Sequence, residues 1–220
     1  MMVPKMTDLE IYKEVLQDSA SVLRTAHTKM HIQMYVMKRT HRTSWVETLH
    51  IKSPRHNNWS VVVNLSQSAS DVNIYLRSED ELGMTVWGIL NTDEMPVLIK
   101  YTAHFFKRYR ERMELEETKP AQIIKRFFRN NVRITPGYNE SEENGLPMAA
   151  ISMPEGLGLG RLSSEAPITV MKTFIPHERL SSNKRELVKM LNEDEKFQEG
   201  LVFINSARSS PAKTSGAART

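Results

Sequence analysis

Cysteine is absent from this chain. Without thiols there can be no disulfide, no cysteine-held metal and no thiol nucleophile. Long apolar runs are missing as well. Nothing approaches the roughly 18 consecutive apolar residues that a membrane helix needs. The opening residues carry Lys5, Asp8 and Glu10 and no apolar core segment, so no secretory signal is expected. No segment repeats another. These absences lead to the expectation of a cytoplasmic protein that does not engage a membrane. What is present is ordinary: with 40% hydrophobic and 25% charged residues, the chain has enough apolar material for one sizeable core or two small ones.

The net charge is only +4, but it is unevenly spread. Residues 100–133 hold ten Lys and Arg against four Glu, and residues 23–58 hold seven against one, with five of the seven histidines. The segments between and after them are acidic. Two basic regions on a nearly neutral protein point to an anionic partner, and solubility alone is the plainer alternative.

Periodicity predicts an α+β protein, antiparallel sheets flanked by about four helices. Residues 8–37 read as a helix with the apolar stripe Leu9, Tyr12, Leu16 and Leu23, and with Asp8 and Glu10 in its first turn. Alternation at Trp59, Val61, Val63 and Leu65, and again at Val72, Ile74 and Leu76, predicts an antiparallel meander that ends near Tyr101. A basic helix follows from about Ala103. A second helix opens at Thr118-Lys-Pro120, where proline suits the first turn. Residues 136–147 are polar and read as a mobile loop. Three more strands are expected at 148–153, 158–162 and 168–175. A last helix begins near Asn183, with Asn183 and Glu186 as a capping pair and Leu187, Met190 and Leu191 buried. A short edge strand at 201–204 precedes a disordered basic tail at 205–220. The expected division is 1–95, helix and meander, then 96–204, a second α+β unit that can be continuous with the first.

Three features tempt a functional reading and lack its context. Gly156-Leu-Gly-Leu-Gly160 is not followed by the long helix of a dinucleotide fingerprint, so a hairpin with glycine at special backbone angles is the better reading. His27 and His31 have ligand-like spacing but no third ligand. Met30, Met34 and Met37 suit a core rather than a cofactor. No metal and no cofactor are expected.

The strongest constellation is on the basic helix. His104, Arg108 and Arg112 are spaced four apart and share one face, with Lys107 and Glu111 beside them, while Phe105, Phe106, Tyr109 and Met113 take the other. Metal-independent RNA cleavage needs a group that exchanges protons near neutral pH and cations that meet a phosphorane. Histidine and arginine supply both. In Met171-Lys-Thr-Phe-Ile175, Lys172 and Thr173 are expected on opposite faces of an interior strand, either able to complete a phosphate site. The plainer alternative is a helix-start histidine and a solvated arginine face bridged to Glu111.

This order of parts, His-x-x-x-Arg-x-x-x-Arg on a helix, a second helix with Ile-Ile and Phe-Phe, then three strands ending in Lys-Thr-Phe, resembles the fold group that unites barnase, RelE-type toxins, colicin nucleases and EndoU. The resemblance spans residues 101–196. It implies a BECR-like unit and a toxin-type endoribonuclease acting on single-stranded RNA. His104, Arg108, Arg112 and Thr173 would be catalytic, and Lys107, Arg126, Arg129 and Lys172 would hold RNA. An inhibitor protein is a further possible partner. The alternatives are a non-catalytic nucleic-acid-binding protein and a regulatory or interaction protein of a mobile element.

Overall fold

A computed structural model describes residues 6–66, 70–80, 83–91, 96–143 and 146–193. The first element is a long helix, α1 (Asp8–Arg39). Thr7 caps it: its hydroxyl accepts from Glu10 N–H while the Glu10 carboxylate accepts from Thr7 N–H. Five strands follow: β1 (Ser44–Lys52), β2 (Asn58–Ser66), β3 (Ser70–Asp80), β4 (Gly83–Asn91) and β5 (Pro96–Tyr101). Two short helices, α2 (Ala103–Arg112) and α3 (Pro120–Asn130), lead into β6 (Thr135–Glu143), β7 (Leu146–Met153), β8 (Gly156–Leu162) and β9 (Ile168–Pro176), and α4 (Ser182–Glu193) ends the described chain.

The strands form one sheet in the order β1-β2-β3-β4-β5-β9-β8-β7-β6. The expected α+β class and four helices are found, but the sheet is mixed. β5 and β9 run parallel, pairing Leu98 with Ile168 and Tyr101 with Met171, so the two halves of the chain share one continuous sheet. Successive strands could be joined by hairpins everywhere else; a parallel pair needs a long crossover, and α2 to β8 provide it.

Both faces are covered. On one, Val15, Val22, Ala26 and Met30 of α1 pack on Trp59, Val61, Val63 and Leu65 of β2 and on Leu98 and Ile168 across the parallel seam. On the other, α2 and α3 bury Phe105, Phe106, Tyr109, Ile124 and Phe127 against Val62, Tyr75, Tyr101, Met171 and Phe174. Phe127 meets Phe105 and Tyr109 edge-on at 5.4 and 5.1 Å, the geometry that ring quadrupoles favour. A smaller cluster joins α4 to Ala150 and Leu157 through Leu180, Val188 and Leu191. The β1–β2 turn is tied to α1 by a buried polar knot. Asn57 Nδ2 donates to Glu14 and Asp18, Trp59 Nε1 donates to Asp18 at 2.6 Å, and Arg55 clasps Glu14 with two nitrogens.

Several expectations are corrected. Residues 136–147 are not simply a loop: β6 pairs with β7, Gly137 opposite Ala150. Glycine leaves the room there that Leu191 fills, since a Cβ would lie 2.1 Å from Leu191 Cδ2. The buried stripe of α1 is Ile11, Val15, Val22, Ala26 and Met30 rather than one through Leu9, which is exposed. α4 starts at Ser182, so Asn183 lies inside it instead of capping it, and Met190 is 64% exposed. The glycines of β8 have no unusual backbone angle; among the described residues the one glycine with positive φ is Gly83. Gly156 and Gly160 instead allow close approach, because a Cβ would sit 2.2 Å from the Ile175 carbonyl oxygen and 2.1 Å from that of Val170. The expected strand 201–204 and tail 205–220 lie outside the described residues.

Candidate functional site

α2 owes its position to a polar residue at each end. The Thr102 hydroxyl caps the helix by accepting from Phe105 N–H, and it also donates to the Met171 carbonyl at 3.2 Å. The other end is placed by Arg112, whose guanidinium donates to Thr173 Oγ1 at 3.3 Å and to the Phe174 carbonyl. The helix is thus laid along β9, apolar side down. Phe105, Phe106 and Tyr109 are buried, while His104, Lys107 and Glu111 are exposed.

Of the predicted site residues, two pairs come together. Arg108 Nε donates to His104 Nε2 at 3.4 Å, which leaves the imidazole proton on Nδ1 in that arrangement. Arg108 Nη1 also bonds Glu111 at 3.1 Å, so the plainer reading of a bridged surface arginine is satisfied by the same side chain. The second pair is Arg112 with Thr173. Helix rise separates His104 from Arg112 by about 12 Å along the axis, with Arg108 midway. Arg112 is committed to β9, where it holds the Thr173 hydroxyl.

The two faces expected for Lys172 and Thr173 are modified by a bulge. Thr173 pairs with Leu159 and Met171 with Gly160, which leaves Lys172 as the extra residue between them. The bulge is why Met171 and Phe174, three apart, both join the core beneath α2. On α3, Arg126 and Arg129 are exposed; Arg126 bonds Glu117 at 3.1 Å.

Sequence reasoning missed a polar knot between α2, α3 and the β7–β8 turn. Glu155, in the β7–β8 turn, accepts from Tyr109 Oη at 2.6 Å and from Asn130 and Asn131 Nδ2 at 2.7 Å each, and its own N–H donates to Asn131 Oδ1. Burial first, and then the Glu155 carboxylate, push the Tyr109 hydroxyl far above the usual phenol range. The tandem Asn at the end of α3 was the available signal, but it named no distant partner. His177 adds a contact from its ring to the Met153 carbonyl at 3.1 Å.

Among the described residues no three His, Asp or Glu converge as metal ligands. No described helix is long and apolar enough to cross a membrane. No protein-family model matches the chain, and no curated protein or solved structure matches it either.

Proposed function

We propose that this chain is a metal-independent endoribonuclease that cleaves single-stranded RNA to a 2′,3′-cyclic phosphate. The observation that carries the reading is one exposed helix face on which an imidazole touches a guanidinium, one turn from a second guanidinium that holds a strand hydroxyl. His104 would exchange the proton of the 2′-hydroxyl or of the leaving 5′-oxygen. Arg108, released from Glu111 by a phosphate, would bind the scissile group through its planar fork. Thr173, oriented by Arg112, would donate a hydroxyl to a phosphate oxygen, and Lys107, Arg126, Arg129 and Lys172 would meet the flanking backbone.

A second reading, a nucleic-acid-binding protein without catalysis, is favoured by Lys107 and Arg129, which are exposed and bond no described residue. Labelled RNA incubated with the protein in EDTA, with end-group analysis of the products, separates the two. The enzyme reading expects cleavage that His104→Ala lowers by about 10²–10⁴-fold, the usual contribution of a proton-transfer group, with RNA affinity held within a few-fold. Retention of RNA with no cleavage by the wild type gives the binding reading. A cleavage rate untouched by His104→Ala returns this histidine to the helix surface.

A further inference from the structure

A cavity of about 300 Å³ opens between α2, the start of α3 and the start of β4. Its floor is apolar, made by Met84, Phe106 and Ile124. Its lining also holds Lys107 and Arg110, one turn apart on α2, and Thr118, just ahead of α3. Neither cation bonds another described residue, whereas Arg108 and Arg112 on the same helix do. Two uncommitted cations over an apolar recess invite an anion that carries an apolar body.

We propose that this cavity is a nucleotide subsite, with the base inside and its phosphate on Lys107 and Arg110. The inference rests on the ribonuclease reading, which it deepens by naming where the strand is held. Three observations favour a nucleotide over an aliphatic anion. The recess has room for a base, and its lining includes the edge of an aromatic ring, Phe106. The Thr118 hydroxyl bonds no described residue, so it is available to a base edge and would be wasted on an acyl chain. Lys107 follows His104 by three residues, which places the two side chains side by side on the helix. A strand seated in the cavity therefore delivers its next phosphate to His104 and Arg108.

The test uses the full chain labelled at methionine methyl carbons, with the Met84 signal assigned by Met84→Leu. Uridine and adenosine 5′-monophosphates are titrated beside uridine, inorganic phosphate and octanoate. The nucleotides are expected to shift the Met84 methyl and to bind about tenfold more tightly than phosphate or uridine alone, since base and phosphate each add contacts. Lys107→Ala with Arg110→Ala should weaken them by about tenfold or more, while Lys13→Ala, which removes an exposed cation of α1 on the other face of the sheet, should leave binding unchanged. Unaltered methionine signals outside the cavity show that the variants are folded. The proposal is overturned if nucleotides leave Met84 unshifted, if octanoate binds more tightly, or if the double variant binds as the wild type does. RNA cleavage measured in parallel keeps the two ideas apart. Cleavage with Met84 unperturbed removes the subsite and spares the enzyme; nucleotide binding at Met84 without cleavage does the reverse.

Discussion

Replacing Glu155 by Ala should cost about 3–4 kcal/mol, although the residue is only half-buried in a turn. The carboxylate accepts three hydrogen bonds, and their donors differ in what they lose. Asn130 is exposed and turns to water at little cost. Tyr109 and Asn131 are 0% and 1% exposed, so the freed Tyr109 O–H and the second Asn131 N–H, the first being held by the Phe127 carbonyl, stay dry, and each unsatisfied donor of this kind costs about 1–3 kcal/mol. Two such groups, with the lost charge assistance, give the stated total. Urea unfolding followed by tryptophan fluorescence measures it, with Tyr109→Phe and the double variant completing a cycle. The cycle should return a coupling of about 1–2 kcal/mol, because Tyr109→Phe removes the donor that Glu155→Ala strands. A loss below about 0.5 kcal/mol for Glu155→Ala, the size of an ordinary surface substitution, would refute the claim that this knot joins α2 and α3 to the β7–β8 turn.

Three further outcomes are expected. The Arg55 guanidinium above all, against the opposing effect of burial, holds the Glu14 carboxyl down to about 2, so its contribution is complete above about pH 4.5 and is lost as pH falls through about 2. With Arg55 partly exposed, that contribution is about 1–2 kcal/mol, and the stability gap between wild type and Glu14→Gln in urea titrations should narrow over that window. Gly160→Ala should cost about 3 kcal/mol because its Cβ meets the backbone of Val170, whereas Gly158→Ala meets the movable ends of Met171 and Met153 and should cost about 1 kcal/mol or less; equal losses in thermal unfolding would contradict the packing described. Neutralising Lys107, Arg126 and Arg129 together should lower the slope of log affinity against log salt by about 2 in RNA filter binding, and an unchanged slope would remove these residues from the interface.

The parts of this protein that were legible in the sequence are those set by local pattern. Strict alternation at Trp59, Val61, Val63 and Leu65 marks one face of β2, and Phe105, Phe106 and Tyr109 mark the buried side of α2, as the structure has them. Pro120 stands at the start of α3 as its missing N–H dictates. What was illegible depends on partners far away in the chain. Polarity made 136–147 look like a loop, yet backbone pairing with β7 needs no apolar side chain. The bulge at Lys172 is a mismatch between two strands and leaves no mark on either alone. The spacing of His104, Arg108 and Arg112 was visible, but not that Arg112 would be spent on Phe174 and Thr173, nor that Glu155 would gather Tyr109 and both asparagines.

The parallel seam between β5 and β9 has a consequence for the order of events during folding. The hairpins on either side of it close over short loops, whereas Leu98 finds Ile168 only after all of α2 to β8 has been spanned. Loop-closure entropy makes such a contact late and slow compared with the hairpins. α2 leaves β5 directly and is fastened to β9 at both ends, by Thr102 to Met171 and by Arg112 to Thr173. His104 and Thr173 therefore meet one scaffold only when the seam has closed. A truncated chain that lacks β9 would carry His104, Arg108 and Arg112 and still lack the strand that sets them beside Thr173, so this face is assembled only by completion of the fold.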